Sequence, residues 1–207
     1  MSDVNVRQSA YRPFILVAVL VVLDQLTKLA VKGFSAFGFS HTGMELGESH
    51  QLIGDAVRLT FVENPGMAFG ISWGDGKLLL TLLTIAIAIF LVYYVIRLAH
   101  AHWAPRLAVT LILAGAVGNL IDRVFYGIAY GEQALFHGKV VDFIQVNIPD
   151  VTWFGELYTH FPVFNIADSC VSIGVVLLIL TGGKLPQTSA AHPNTAESEQ
   201  TDGRAEH

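Results

Sequence analysis

The chain has 207 residues, 53% of them hydrophobic and 14% charged, with a mean hydropathy of +0.53 and a net charge of -5. An ordinary soluble domain is less apolar, so the composition indicates a membrane protein. The 12 Lys and Arg residues are scattered singly and form no basic stripe, which argues against a nucleic-acid partner. The single cysteine, Cys170, has no Cys or His neighbour at metal-ligand spacing, and it is expected to pack as a small apolar side chain.

Four apolar stretches approach the roughly 20 residues that a helix needs to cross a bilayer, and they predict an all-α integral membrane fold with four transmembrane helices. The spans are predicted at about 14–32, 78–97, 104–122 and 164–181. The first could also be a cleaved signal peptide, but it runs on through Asp24 and Lys28 without a small-residue cleavage site, which favours a retained helix.

Four spans place both termini on one side of the membrane. They make residues 14–183 a single domain, after an N-terminal segment 1–13 and before a polar segment, 184–207, that predicts a disordered tail. Lys and Arg residues near the span ends number five on one side and six on the other, so charge counting does not decide the orientation.

The loops on the side opposite the termini predict a small β-rich cradle and a surface helical or loop element. Arg58–Val62 is a β-type run, and the turn Glu63–Gly66 and the alternating Met67–Ile71 complete a predicted hairpin. Lys139–Val146 is again β-rich, and the aromatic-rich segment after it, which includes Trp153, suits an amphipathic piece lying on the bilayer surface. Both loops could cover a site at the membrane boundary.

Two groups of polar residues lie on single helix faces within the predicted spans. Asp24 and Lys28 stand four apart, so they can form an intrahelical pair near a helix end, with Lys28 snorkelling to the interface; the alternative is a functional role. Asn119, Asp122 and Arg123 also share a face, and a brace between helices explains them as well as direct chemistry does.

Asp142 and Asp168 lie at the edges of apolar sequence, where a carboxylate is costly and is a candidate for function. Asn165 could instead be the N-cap of the last helix, with Asp168 as an acid in its first turn, although Asp168 already lies within the apolar run. Strand alternation would place Asp142 on the face opposite Val141 and Phe143. Two such acids suggest chemistry.

Five motifs, in this order, resemble those of the lipoprotein signal peptidases (signal peptidase II), the membrane aspartyl peptidases of bacterial lipoprotein maturation. They are Asp24-Gln25-Leu26-Thr27-Lys28, Asn64-Pro65-Gly66-Met67-Ala68-Phe69, Gly118-Asn119-Leu120-Ile121-Asp122-Arg123, Val140-Val141-Asp142-Phe143 and Phe164-Asn165-Ile166-Ala167-Asp168. The resemblance covers about residues 14 to 181, and segments 127–139 and 147–161 look longer than in other members of the family.

The resemblance implies an enzyme of the bacterial inner membrane with cytoplasmic termini, an extracytoplasmic active site and Asp142 with Asp168 as its catalytic dyad. The substrate would be a diacylglyceryl-modified prolipoprotein, cut on the N-terminal side of the lipidated cysteine. Membrane lipids and globomycin-type cyclic peptide inhibitors are implied as further partners, and no metal or cofactor is implied. The residues implied to bind substrate or support the dyad are Asp24, Lys28, Asn64, Gly66, Asn119, Asp122, Arg123, Asn165 and Ala167.

Two carboxylates close together in a low-dielectric cleft share a proton, so one can deprotonate a water while the other polarises a carbonyl. An ion-coupled transporter or channel component is a rival interpretation, in which Asp24, Lys28, Asp122, Arg123 and Asp168 form a charge relay. It predicts polar residues along the whole bundle, whereas here they cluster toward one side. A non-enzymatic assembly protein would use the motifs as packing contacts, but it leaves Asp142 unexplained.

Overall fold

The structure is a computed structural model, and it describes residues 3–66, 76–98, 102–153 and 156–181. The helices are α1 (Asp3–Lys32), α2 (Gly76–Arg97), α3 (Trp103–Ile121), α4 (Gly127–Ala129) and α5 (Ile166–Leu180). A π-helical turn, Asp122–Tyr126, joins α3 to α4. The strands are β1 (Phe34–Ala36), β2 (Phe39–His41), β3 (Ser49–Ile53), β4 (Val57–Asn64), β5 (Val140–Trp153) and β6 (Glu156–His160).

Three helices are long and apolar enough to cross a membrane. The candidate spans are Tyr11–Lys32, Gly76–Arg97 and Trp103–Ala129. The fourth apolar helix, α5, has 15 residues and is therefore only about 22 Å long at 1.5 Å per residue. Helix α1 already begins at Asp3, so it includes most of the segment that was expected to precede the first span. The predicted tail, 184–207, lies outside the described residues.

Helix α3 is the centre of the bundle and contacts α1, α2 and α5. It buries Ala108, Val109 and Leu113, and α2 adds Leu91 and Val95 to the same apolar core. The outer faces of the helices are apolar as well. Large side chains exposed there include Ile15, Val19, Leu26, Leu79, Ile89, Phe90, Ile173, Val176 and Ile179. A water-soluble monomer rarely exposes so large an apolar surface, so these faces suit contact with lipid.

Small residues bring α3 and α5 into close contact. A Cβ placed on Gly115 would lie 2.2 Å from the carbonyl oxygen of Ala167, and one on Gly174 would lie 2.7 Å from that of Ala108. The backbones of two helices can come this close only where a residue has no side chain, as glycine does. The glycines therefore set the distance between the two helices, and they bring the start of α5, where Asp168 lies, against α3.

The four-stranded antiparallel sheet has the order β3-β4-β5-β6. Val141 and Phe143 of β5 are buried in an apolar cluster with Phe61 of β4 and Val31 of α1, as the alternation predicted. Asp142, between them, therefore points away from this cluster. The sheet continues into the bundle, because the backbone of Ile144 forms an isolated bridge with Phe164, just before α5.

The expectation of a helical or loop element on the bilayer surface after Val146 is wrong. Strand β5 extends to Trp153 and pairs with β6, with Thr152 opposite Leu157. The physical reason is composition, since β-branched and aromatic residues such as Val, Ile, Thr and Tyr favour a paired strand over a helix. Strand β4 pairs with β3 and β5, and the predicted return strand Met67–Ile71 lies outside the described residues.

The first prediction tests the small residues between the helices. Gly174→Ala should lower the free energy of unfolding by about 1–3 kcal/mol, because the added methyl group overpacks the contact with α3. Val176→Leu is the matched control, since it enlarges an outward-facing side chain two residues further along α5. Thermal unfolding of both variants in detergent measures the difference, and equal stability would contradict the proposed role of the glycine.

Candidate active site

The side chain of Lys28 lies at the centre of a buried polar cluster between α1 and α3, with 0% of it exposed. Its ammonium group lies 2.9 Å from Asp24 Oδ2 and 2.8 Å from Asp122 Oδ2, and it donates to Asn119 Oδ1 at 2.9 Å. An ammonium group has three donors, so all are satisfied. The intrahelical pair is confirmed, whereas the idea that Lys28 snorkels to the interface is wrong, because its partners on α3 hold it inside.

Two carboxylates share this one ammonium group, and their remaining acceptor capacity is used by N–H groups. Gln25 Nε2 donates to Asp122 Oδ1 at 2.9 Å and to Asp24 Oδ2 at 3.2 Å. The backbone N–H of Ala167 donates to Asp24 Oδ1 at 3.0 Å, and that of Val141 donates to Asp122 Oδ2 at 3.2 Å. The cluster therefore joins α1, α3, β5 and α5 at one place.

Two asparagine amides connect this cluster to the pair of aspartates. Because Asn119 Oδ1 accepts from Lys28, its Nδ2 faces Asp168 and donates to Oδ1 of that residue at 2.8 Å. The side chain of Asn165 is oriented by the backbone N–H of Asp168, which donates to Asn165 Oδ1 at 2.9 Å. Asn165 Nδ2 is then free to donate to Asn119 Oδ1 at 3.1 Å and to Asp142 Oδ1 at 2.7 Å.

Asp142 accepts hydrogen bonds on both carboxylate oxygens. Besides the bond from Asn165, Asn64 Nδ2 at the end of β4 donates to Asp142 Oδ2 at 3.0 Å. The amide of Asn64 is oriented in turn by the backbone N–H of Gly66, which donates to its Oδ1 at 2.8 Å. Gly66 has φ +80°, a conformation that favours glycine. Residues 67–69 of the same motif lie outside the described residues.

Asn165 and Asp168 form a capping box at the start of α5, so the helix-capping interpretation of these residues is confirmed. In this box the backbone N–H of Asn165 donates to Asp168 Oδ2 at 3.3 Å. The second oxygen of Asp168 accepts from Asn119, and the Asn165 side chain also reaches Asp142. The cap and the site therefore use the same atoms, and a role in the cap does not exclude a role in chemistry.

The environment of Asp142 favours a protonated carboxyl group. Burial, and after it the negative charge of Asp168, raise its pKa to about 7 against the opposing effect of the hydrogen bonds from Asn64 and Asn165. Two neighbouring carboxyl groups with these surroundings can hold one proton between them near neutral pH.

Arg123, in the π-helical turn after α3, is the cation that faces the pair. Its charge interacts with those of Asp122, Asp142 and Asp168, and its guanidinium lies 3.6 Å from where a Cβ on Gly66 would be. A Cβ at position 66 would be in ordinary contact with this cation but only 2.5 Å from Leu80 Cδ2 of α2. The π-helical turn is a local irregularity of the kind that is frequent at functional sites.

Gln25, Tyr126 and Gly118 belong to the site although the sequence analysis gave them no role. Tyr126 donates from its hydroxyl to Gln25 Oε1 at 3.1 Å, which fixes the amide that bridges Asp24 and Asp122. A Cβ on Gly118 would lie 2.7 Å from Asp24 Oδ2, so a larger residue would displace that carboxylate. The sequence offered one signal for a role of Gln25, namely its position between the charged residues Asp24 and Lys28 in an otherwise apolar run.

The long segment 127–139 is held against the end of the helix before it by backbone hydrogen bonds. Gly127 accepts on its carbonyl from the backbone N–H groups of Glu132 and Gln133, and Gly138 donates to the carbonyl of Arg123 at 2.9 Å. These bonds occupy carbonyl groups that the end of a helix leaves without partners. They also deliver the chain into β5 beside Asp122, and this fixes the position of Asp142 relative to α3.

Fold and site together define a polytopic membrane enzyme with paired carboxyl groups, Asp142 buried and Asp168 half-buried, at the junction of its helices and sheet. Within the described residues, no group of three or more His, Cys, Asp or Glu is arranged to hold a metal ion. The family model described as Signal peptidase (SPase) II matches residues 16–182. The chain therefore belongs to the signal peptidase II family, and it is a peptidase. The resemblance in the five motifs is confirmed, and the transporter interpretation is not supported.

Curated relatives agree with this assignment. A lipoprotein signal peptidase of Porphyromonas gingivalis is 37% identical over 191 residues, covering 80% of this chain and 80% of that protein. Another, of Staphylococcus aureus, is 39% identical over 167 residues and covers 80% of this chain and 85% of that protein. A third, of Chlorobium phaeobacteroides, is 36% identical, and the match covers 81% of this chain and 92% of that protein.

Two solved structures share the fold. Both are described as a bacterial membrane enzyme structure by the in meso method, one at 1.9 Å and the other at 2.3 Å resolution. The first has a TM-score of 0.62 and 36% identity and covers 82% of this chain and 90% of that chain. The second has a TM-score of 0.61 and 34% identity, and the match covers 88% of this chain and 93% of that chain.

The second prediction concerns the buried ammonium group. Lys28→Met should lower the free energy of unfolding by about 3–5 kcal/mol, because it leaves two buried carboxylates without their cation. The variant that also carries Asp24→Asn and Asp122→Asn should recover part of this loss, since the charges are then removed together. Thermal unfolding in detergent measures both, and a triple variant no more stable than Lys28→Met would show that charge pairing is not the cause.

The third prediction follows from the raised pKa of Asp142. Between a pH of about 4 and about 7, Asp142 is protonated in the native state but already ionised in the unfolded chain. The free energy of unfolding should therefore fall as the pH rises through this window. The fall should reach at most about 4 kcal/mol and should level off above the native pKa of about 7. Asp142→Asn should remove this part of the pH dependence, and an unchanged profile would contradict the assignment.

Proposed function

We propose that this chain is an aspartic endopeptidase that uses Asp142 and Asp168 to remove the signal peptide from prolipoproteins. Signal-peptide removal from prolipoproteins is the activity of the family to which the chain belongs. The aspartic mechanism is our inference from one observation. The carboxyl groups of Asp142, which is buried, and Asp168, which is half-buried, come from different elements, are both hydrogen-bonded to Asn165, and each accept hydrogen bonds on both oxygens.

In the proposed mechanism the two carboxyl groups have different tasks. Asp142, whose pKa is raised to about 7, holds the shared proton and donates it in a hydrogen bond to the carbonyl oxygen of the scissile peptide. Asp168 accepts a proton from a water molecule as the water oxygen bonds to the carbonyl carbon. When the C–N bond breaks, that proton passes from Asp168 to the leaving nitrogen. The products are a carboxylic acid and an amine, and no covalent enzyme intermediate forms.

The surrounding side chains support these tasks. The four amide and backbone donors leave each carboxyl group fixed in position, which removes the need to reorganise the site during the reaction. Arg123 supplies positive charge where the tetrahedral intermediate develops negative charge. Asp24, Lys28 and Asp122 act at a distance, by holding Asn119 and the backbone of Ala167 in place.

We further propose that the substrate is a diacylglyceryl-modified prolipoprotein, cut on the N-terminal side of the lipidated cysteine. The site lies where the apolar helix bundle meets the sheet, so acyl chains can stay in lipid while water reaches the carboxyl groups. A globomycin-type cyclic peptide would compete for this cleft. Helix α5 would be a fourth, shorter span, with both termini in the cytoplasm and the site on the outer side of the inner membrane.

The fourth prediction tests the pair. Asp142→Asn and Asp168→Asn should each reduce cleavage of a lipidated prolipoprotein by several orders of magnitude, because an amide can neither accept the proton of water nor share a proton. Cys170→Ala is the matched control in α5, and it should cleave normally. The rate of the unmodified enzyme should depend on pH along a bell-shaped curve with two apparent pKa values that belong to the pair. Near-normal turnover by either folded Asn variant would exclude the aspartic mechanism.

The fifth prediction tests the topology. Reporters fused at positions 101 and 190 should be cytoplasmic, and reporters at 45 and 150 should lie on the other side, because four spans return the chain to its starting side. A cytoplasmic reporter at 150 would contradict the four-span topology, and a reporter at 190 on the same side as the one at 150 would contradict the fourth span. Cleavage activity is not needed for this measurement, so it tests the membrane arrangement separately from the mechanism.

A further inference from the structure

A short hairpin of β1 and β2 follows α1 directly and has one apolar face. Phe34 pairs with His41 and Ala36 pairs with Phe39, so these four side chains share one face of the hairpin. Ser35 and its partner, the serine at position 40, share the other. The strands have only three residues each, and the larger sheet does not include them. A two-stranded hairpin alone is at most marginally stable in water.

The turn of this hairpin exposes a large apolar side chain at a position where the backbone disfavours one. Phe37 has φ +52° and Gly38 has φ +81°, as expected for a two-residue turn in which both central residues are left-handed. Asn, Asp and Gly are preferred there, and a bulky residue with positive φ is unusual. Phe37 is nonetheless 100% exposed, and Phe39 is 74% exposed. Neither ring is buried against the rest of the described protein.

The base of the hairpin is fixed to the last turn of α1. His41 Nε2 is hydrogen-bonded to the carbonyl of Ala30 at 2.9 Å, and Met44 N–H donates to the carbonyl of Val31 at 2.7 Å. Gly33, with φ +83°, ends the helix, and a Cβ there would lie 2.5 Å from the carbonyl oxygen of Thr42. The hairpin therefore begins at the level where the candidate membrane span Tyr11–Lys32 ends.

We propose that this hairpin is an interfacial membrane anchor, in which Phe34, Phe37 and Phe39 are buried among the lipid headgroups and the first carbons of the acyl chains. The occupant of the apolar face is lipid, because the face begins where a membrane-spanning helix leaves the hydrocarbon. Amphipathic helices that lie in this boundary carry Trp, Phe or Leu on the face that they bury, about 5–10 Å deep, and the Phe residues of the hairpin are side chains of the same kind. The proposal does not depend on the catalytic mechanism.

Site-directed spin labelling in lipid nanodiscs tests the anchor. Nitroxide labels on Phe37→Cys, Phe39→Cys and Ser40→Cys, each in a Cys170→Ala background, report collisions with oxygen, which concentrates in lipid, and with a water-soluble nickel chelate. We expect the labels at 37 and 39 to favour oxygen several-fold over the label at 40, which lies on the polar face of the same hairpin. Equal accessibility at 39 and 40 would overturn the proposal. It would also be overturned if the labels at 37 and 39 were water-exposed in lipid and became protected only after a lipidated prolipoprotein peptide was added.

A second measurement uses the unmodified protein. A phospholipid with a photoactivatable diazirine near the headgroup should form adducts on the peptide that contains Phe37 and Phe39, as detected by mass spectrometry. The outward-facing residues of α1, such as Leu26, provide a positive control when the diazirine is placed deeper in the acyl chain. Labelling of α1 without labelling of the hairpin would overturn the proposal.

Discussion

The buried ammonium group of Lys28 is the interaction on which the rest of the structure depends. It is the one cation within hydrogen-bonding distance of both Asp24 and Asp122 among the described residues. A buried carboxylate without a partner would cost several kcal/mol, and here two of them are held between one cation and several N–H groups. Two of these N–H groups belong to the backbones of β5 and α5. The electrostatic requirement of the cluster therefore also sets how the sheet and the last helix meet the bundle.

Lys28 acts on the paired carboxyl groups indirectly, through asparagine side chains whose amide groups can adopt only one orientation. Asn119 must present its NH₂ group to Asp168 because its oxygen is taken by Lys28, and Asn165 must do the same toward Asp142 because its oxygen caps α5. Both asparagine side chains therefore contact the paired carboxyl groups as hydrogen-bond donors. Such an arrangement stabilises negative charge on the carboxyl groups, while burial favours a proton on one of them. A pKa of Asp142 raised to about 7 is the result of this balance.

Much of this could be predicted from the sequence, because intramembrane charges are rare enough to be informative one by one. The pair Asp24 and Lys28 and the position of Asp142 opposite Val141 and Phe143 follow from helix and strand periodicity, and the cap at Asn165 follows from its residue type. The burial of Lys28 could not be predicted, because it depends on Asp122 and Asn119 lying opposite it on another helix. The β5–β6 hairpin was missed because an aromatic-rich segment suits both a membrane surface and a strand, and only its pairing partner decides between them.

The role of Gln25 could not be predicted for a similar reason. An amide next to a charged pair has no preferred partner in sequence, and its bonds to Asp122 and Tyr126 require the π-helical turn that follows α3. No periodicity signals that turn. Motif resemblance nevertheless included Gln25 and Gly118 within the quoted sequences, although it gave no physical reason for either.

Asn165 caps α5 and, with the same side chain, bonds to Asp142 on β5. The first turn of α5 and the position of Asp142 therefore depend on one and the same side chain. Local unfolding of this turn would move the two aspartates apart. The stability of the first turn of α5 therefore sets the geometry of the pair.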